Sequence, residues 1–212
     1  YATDLFACGK NAGDWMFGGA PYRILNNAID AAAYRVIPEK RVQIRQRLHL
    51  TNELAVGHVG RFSPQKNHPF LLEIFAALLK KEPGAVLLLV GGGDDMPKIR
   101  EKARNLGILD RVRFLGVRDD VADLMQAMDV FVFPSLYEGL PVTMVEAQAS
   151  SLPCLISDRV PPECIITEGL VEALPLSAGP EAWAEKALEK RDTARTDRYT
   201  EISARGFDIT TE

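Results

Sequence analysis

The 212-residue sequence contains only three cysteines, Cys8, Cys154 and Cys164. An odd count with no closely spaced pair excludes a disulfide framework and a zinc site, and reads as reduced thiols in a cytosolic protein. A dominant charge is also missing: 25 Lys and Arg stand against 29 Asp and Glu, a net charge of −4. Nucleic-acid surfaces ordinarily carry a basic excess, so no nucleic-acid partner is expected. No apolar run approaches the ~18 residues of a membrane helix, and no secretory signal is visible. Repeats and low-complexity stretches are absent. What remains, 47% hydrophobic and 25% charged residues, is ordinary for a globular protein with a sizeable core. The chain opens on Tyr1 and enters directly into "YATDLFACG", which reads as the interior of something longer. An excised domain is therefore expected.

Short apolar runs alternate with helical patterns. "PYRILNN" (21–27), "LAVGHVGRF" (54–62), "AVLLLVGGG" (85–93), "VRFLG" (112–116), "VFVFPS" (130–135), "PCLIS" (153–157) and "LVEALPL" (170–176) read as strands. Near-continuous apolar runs fit strands buried on both faces, as in a parallel sheet. Between them, "HPFLLEIFAALLKKEPG" repeats apolar residues on one face, with Pro69 in its first turn and Pro83-Gly84 as the stop. "MPKIREKARNLGI" follows, with Asp94 or Asp95 as cap and Gly107 as terminator. "DVADLMQAM", capped by Asp119 or Asp120, and "PVTMVEAQAS", opened by Pro141, are two more helices. From Trp183 onward the tail reads as polar amphipathic helices. Repeated strand–helix alternation predicts an α/β fold: a doubly wound, Rossmann-like parallel sheet with helices on both faces. Ligands of such sheets bind beyond the carboxyl ends of the strands, at a topological switch point.

Three constellations carry chemistry. In "VGRFSPQKN" (59–67), Arg61 ends a buried strand and Lys66 stands just ahead of a helix. Two cations beside a helix N-terminus suit a diphosphate, with a planar fork from Arg and a point charge from Lys; solvated loop charges are the alternative. "GGGDDMP" (91–97) lacks the spacing G-x-G-x-x-G and the Lys-Ser/Thr of a P-loop. Asp94 and Asp95 would repel phosphate, so it reads mainly as a tight turn and helix cap. In "FPSLYEGLPVTMVEAQASSLP" (133–153), Glu138 precedes a helix expected to begin at Gly139, Leu140 and Pro141, with the N–H groups of Gly139 and Leu140 at its positive end. Glu146 then lies roughly 8 Å along that helix. By spacing alone, the two carboxylates could meet different parts of an elongated ligand, form a hydrolase acid/base pair, or be a cap and a surface residue. His58 reads as a core or rim histidine and His68 as a helix cap.

"GRFSPQKN", "FLG" followed by an acidic turn, and "PSLYEGLPVTMVEAQASSLP" resemble, in order and rough separation, the retaining glycosyltransferases of family 4. "NNAID" (26–30) is similar to the segment that opens their C-terminal domain, and the likeness extends from about Tyr22 to Leu176. It implies one half of a GT-B fold of two Rossmann-like domains, in an enzyme of bacterial polysaccharide assembly. Residues 1–21 would then be the end of an N-terminal domain and linker, and 22–212 the donor nucleotide-sugar-binding domain. The N-terminal acceptor domain is expected to lie outside this chain, leaving the fragment inactive in transfer. The resemblance implies that Arg61 and Lys66 hold the donor diphosphate as leaving group. Glu138 would accept hydroxyls of the donor sugar, and the N–H groups of Gly139 and Leu140 would contact sugar and phosphate. Glu146 would bind the ribose hydroxyls, and Val117 would present its backbone to the base. Arg61, Lys66 and Glu138 would be the catalytic set, with no metal and no cofactor beyond the nucleoside diphosphate sugar. The acceptor would be a glycan or lipid-linked molecule met through the missing domain. The location would be cytoplasmic, with room for peripheral contact at the inner face of the membrane. A nucleotide-binding module without transferase activity, a sugar epimerase and a phosphorylase are the other readings. Two departures concern geometry: the family usually has glycine where Ser151 stands, and Asn27 and Ala28 replace glycine and another small residue. If position 151 is left-handed, serine there costs ~1 kcal/mol.

Overall fold

The computed structural model describes residues 3–210. In chain order the strands are β1 (Phe6–Ala7), β2 (Arg23–Ile24), β3 (Ala55–Val59), β4 (Val86–Val90), β5 (Val112–Gly116), β6 (Val130–Phe133), β7 (Cys154–Ser157) and β8 (Val171–Leu174). The α-helices are α1 (Lys10–Phe17), α2 (Pro38–Arg47), α3 (His68–Leu79), α4 (Met96–Asn105), α5 (Val121–Ala127), α6 (Val142–Ala149), α7 (Gly179–Glu189) and α8 (Tyr199–Ala204). Strands β3 to β8 form one parallel sheet in the order β5-β4-β3-β6-β7-β8. The chain winds outward from β3 through β4 to β5, then returns to the other side of β3 for β6 to β8. The switch point lies between β3 and β6, and ligands of such sheets bind beyond the carboxyl ends at a switch point.

Strand periodicity explains the two layers of core. Successive residues point to opposite faces. Ala55, Val59, Val86, Leu88, Val90, Phe131, Phe133, Cys154 and Ile156 share one apolar cluster with Ile44 of α2, Leu124 and Met125 of α5, Met144 and Val145 of α6 and Ile202 of α8. Val56, Leu87, Leu89, Val130, Val132 and Leu155 share the other with Leu71, Leu72, Phe75 and Leu78 of α3, Ile99 of α4 and Trp183 of α7. Both faces of the sheet are therefore covered, which is why its strands read as apolar runs without alternation.

Several expectations need correction. Asp95 and Asp120 hold the N-cap positions of α4 and α5, but neither side chain makes a capping hydrogen bond to the helix backbone. Helix α3 ends at Leu79, ahead of Pro83-Gly84, whereas Gly107 does terminate α4 with φ 69°. The run 21–27 supplies only β2, which pairs with β1 as a separate ribbon, exposed except at Ala7. Tyr22 fastens α1 to this ribbon by donating to the Lys10 carbonyl and to Asp14. Trp183 sits mid-helix in α7 and is fully buried, donating its indole N–H to Pro175 O. The ends of the expected linker piece and tail, residues 1–2 and 211–212, lie outside the described residues.

The tail also tightens the sheet's far side. Arg195 donates to the carbonyls of Met125, Gln126 and Met128 at the end of α5 and of Ser150 at the end of α6. One guanidinium thus satisfies the orphan carbonyls of two helix C-termini, where a cation is favoured. Burial lowers its pKa to about 10. Ser151 does adopt the left-handed conformation, φ 51°, and its hydroxyl accepts from the Thr196 N–H at 3.1 Å. The bond offsets the backbone cost and ties the tail to the end of α6.

Candidate functional site

The site is built at the carboxyl ends of β3, β4, β5 and β6. Beyond β3, a 3-10 turn (Pro64–Lys66) carries Gln65 and Lys66 toward α3. Beyond β6, residues 134–141 form an irregular loop before α6. The loops interlock: Leu136 N–H bonds to Gln65 O at 2.8 Å, Gln65 Nε2 donates to Tyr137 O at 3.0 Å, and Asn67 Nδ2 to Pro134 O at 3.1 Å.

This frame brings Lys66 and Glu138 into contact. Lys66 Nζ donates to Glu138 Oε1 at 2.7 Å, and Gln65 Nε2 donates to Oε2 at 3.0 Å. The side chains are 14% and 6% exposed, so the pair is largely removed from water. The ammonium also lies 4.5 Å from the centre of the Phe133 ring, a cation–π contact. Each Glu138 oxygen has a donor, which offsets the burial of its charge.

Below this pair lie two histidines. His58 and His68 are both essentially inaccessible, with ring centres 4.7 Å apart. His58 Nδ1 faces Val132 O at 2.9 Å. A carbonyl only accepts, so Nδ1 carries the proton and Nε2 is an acceptor. That Nε2, and both ring nitrogens of His68, find no partner among the described residues. Burial, then the neighbouring His68, holds His58 well below the usual histidine range. Burial, then Lys66, lowers His68 to about 4. His58 is therefore only half satisfied, and His68 is the first residue of α3 rather than its cap. Asn67 holds the N-cap position in left-handed conformation.

Arg61 and Val117 meet elsewhere. With Val59, Gly60, Val90, Gly91, Gly92, Gly93, Arg118 and Val121 they line a cavity of about 510 Å³. Arg61 is exposed and makes no ion pair among the described residues, while Val117 is 80% exposed. The glycine triplet explains this wall. Phe62 N–H bonds to Gly92 O at 2.9 Å. A Cβ on Gly91 would stand 2.1 Å from Gly60 O and one on Gly93 2.5 Å from Phe62 O. The glycines serve close approach of two backbones, which is a fuller role than the expected tight turn.

Gly139 and Leu140 are not the first residues of α6. The helix begins at Val142, with Pro141 at the N-cap position. The expectation misplaced the start by three residues, because "EGLP" turns through a loop before the proline admits helical geometry. Gly139 is exposed, and Leu140 is buried with its carbonyl accepting from Asn27 Nδ2 at 3.5 Å. Glu146 is the fifth residue of α6 and half-buried. Tyr34 donates its hydroxyl to Glu146 Oε1 at 2.9 Å. Burial raises the Glu146 pKa, and the Tyr34 bond works against that rise. Gln65 and Tyr34 were assigned no role from sequence. Gln65 adjoins Lys66, but Tyr34 lies 112 residues from Glu146, and no local signal links them.

Among the described residues no three His, Cys, Asp or Glu side chains are grouped to hold a metal. All three cysteines are free, with Cys154 and Cys164 buried. No described helix is long and apolar enough to cross a membrane.

A family model for glycosyl transferases group 1 matches residues 53–190. The putative glycosyltransferase EpsF of Bacillus subtilis is 39% identical over 203 residues, covering 93% of this chain and 53% of EpsF. The Escherichia coli UDP-Gal:alpha-D-GlcNAc-diphosphoundecaprenol alpha-1,3-galactosyltransferase is 33% identical over 118 residues, 54% of this chain and 30% of that protein. The crystal structure of Anabaena Alr3699/HepE in complex with UDP and glucose superposes with TM-score 0.84 at 24% identity, covering 100% of this chain and 61% of HepE. The chain thus spans about half the length of EpsF and less of the galactosyltransferase.

Proposed function

The chain belongs to the glycosyl transferases group 1 family, and from that premise we propose that it is the donor-binding domain of a retaining, family 4 glycosyltransferase. The parent enzyme, a GT-B protein of two Rossmann-like domains, moves a sugar from a nucleoside diphosphate sugar to a glycan or lipid-linked acceptor. The setting is cell-surface polysaccharide synthesis at the cytoplasmic side of the membrane. The observation that carries this reading is the 2.7 Å contact between Lys66 and Glu138. In a nucleotide sugar the anomeric carbon is bonded directly to phosphate. A cation for the phosphate and a carboxylate for the sugar hydroxyls must then be neighbours, and the contact between Lys66 and Glu138 supports these roles.

Arg61 joins Lys66 on the diphosphate and stabilises it as leaving group, a job for positioned charge rather than for a protein nucleophile. No metal is required where two cations supply that charge. Glu138, held by Gln65 and Lys66, accepts from the sugar. The backbone of Gly139 and Leu140 borders sugar and phosphate, Glu146 takes the ribose hydroxyls, and Val117 meets the base at the mouth of the glycine-walled cavity. Relatives name UDP-galactose in one case and show UDP with glucose in another, which makes UDP the first nucleotide to try. The test is a thermal-shift or calorimetric screen with UDP, GDP, ADP and their sugars. Stabilisation by one nucleoside diphosphate and its sugar supports the assignment; indifference to all of them refutes it.

A further inference from the structure

Glu146 has a companion from far away in the sequence. The 3-10 turn Ala31–Tyr34 packs against α5, α6 and α8. Asp30 accepts from Ala33 N–H at its head. At its foot, Gln126 Nε2 donates to the carbonyls of Tyr34 and Arg35, and Arg35 pairs with Asp197 at 2.5 Å. The Tyr34 ring is therefore placed by its backbone and by packing, independently of its hydroxyl. That hydroxyl then reaches Glu146 Oε1 at 2.9 Å, while no described donor reaches Oε2.

We propose that Tyr34 is a positioning residue of the nucleotide-binding site, holding the Glu146 carboxylate ionised and turning its second oxygen to the vicinal hydroxyls of a ribose. The proposal rests on the assignment of Glu146 to the ribose. Its chemistry follows from burial. A half-buried carboxylate with no cation paired to it among the described residues resists ionisation, and one hydroxyl donor counteracts this. A free oxygen with both lone pairs open is what a vicinal diol needs. The charged groups on the surrounding elements are otherwise engaged. Asp123 of α5 pairs with Lys40, Asp120 with Arg118 and Arg47, and Glu201 of α8 with Arg198. Burial, then the Glu146 charge, raises the Tyr34 pKa, so its hydroxyl stays a donor across the working range. Asp30 adds to that rise.

The experiment titrates UDP and 2′-deoxy-UDP into the native protein and into Tyr34→Phe, at about pH 5.5 and about pH 7.5, on either side of neutrality. Tyr34→Phe keeps the ring and removes only the donor. Losing a hydrogen bond to a charged group predicts about tenfold weaker UDP binding at the higher pH. The loss widens at the lower pH, where the unassisted Glu146 takes up a proton, and 2′-deoxy-UDP is affected less. The ¹³C carboxyl resonance of Glu146 reports the same change without ligand: its titration midpoint rises in Tyr34→Phe. Unchanged UDP affinity, a loss independent of pH and of the 2′-hydroxyl, or an unmoved midpoint overturns the proposal while leaving the donor site standing. A native protein that binds no UDP, GDP or ADP overturns the donor-site reading and this proposal with it.

Discussion

Two corners of the fold, Glu138 in the loop beyond β6 and Glu146 on α6, hold carboxylates buried by opposite means. At Glu138 the charge is answered by Lys66 at 2.7 Å and by Gln65 at 3.0 Å, over aromatic rings. At Glu146 the only side-chain donor among the described residues is a neutral hydroxyl, and burial raises the pKa. The first corner is electrically closed before any ligand arrives. The second keeps an oxygen and an uncompensated charge in reserve. The difference teaches which carboxylate acts within a fixed constellation and which waits for a partner. On the proposed reading, Glu138 is part of a preset sugar–phosphate junction and Glu146 a grip for hydroxyls.

The sharpest way to break this contrast is to remove the cation. Lys66→Ala leaves a buried carboxylate unpaired and is expected to destabilise the fold by about 3 kcal/mol in chemical denaturation. Lys66→Met combined with Glu138→Leu should recover most of that loss, because both charges go together. A harmless Lys66→Ala would show that the pair is not held out of water. Acid should weaken the same corner next. His58 and His68 are kept neutral in the fold but protonate near 6.5 when unfolded. The unfolded chain then binds more protons, so stability falls as pH drops from 6.5 toward 4 by up to about 1.4 kcal/mol per pH unit on account of His68, and His58 acts in the same direction. Thermal melts of His68→Phe should show a shallower acid limb, and an unaltered limb would place the cause elsewhere.

At the other corner the sign reverses. Burial raises the Glu146 pKa, so ionisation costs the folded state stability as pH climbs above the ordinary carboxyl range. Glu146→Gln should raise the melting temperature at neutral pH and leave it unchanged in acid, a trade of stability for function. Equal melting curves for the two proteins at neutral pH would mean that the carboxylate carries no strain. The smallest effect belongs to the end of α6. Ser151→Gly relieves a left-handed serine, worth ~1 kcal/mol, and loses the Thr196 bond, worth about the same, so stability should move by less than about 0.5 kcal/mol. Ser151→Ala loses the bond without the relief and should cost ~1 kcal/mol. A Ser151→Ala variant as stable as native would deny the hydroxyl its role.

Much of this fold is legible in the sequence because the sheet is buried on both faces. Runs such as "AVLLLVG" and "VFVFP" announce strands that no solvent face interrupts, and all six strands of the main sheet fall within expected runs. Helix α2 escapes notice because "PEKRVQIRQR" is charged at half of its positions and buries only Ile44 and Arg45. The start of α6 is misjudged where Gly139 and Leu140 look like a first turn. At the site, the family resemblance names Arg61, Lys66, Glu138 and Glu146, but not which of them touch. Lys66 and Glu138 are 72 residues apart, and only the adjacency of β3 and β6 joins them. Tyr34 is invisible for the same reason: its meaning depends on a contact made by folding.

The most direct measurement is isothermal titration of UDP and UDP-glucose into Glu138→Ala and Glu146→Ala, beside the native protein. If Glu146 grips ribose, Glu146→Ala weakens both ligands, by ~1.5–3 kcal/mol or tenfold to a hundredfold. If Glu138 serves the sugar, Glu138→Ala spares UDP and weakens only UDP-glucose. A hydrolase pair requires the opposite: nucleotide binding intact in both variants. Unchanged UDP affinity in Glu146→Ala would contradict the ribose assignment and, with it, the division of labour between the two corners.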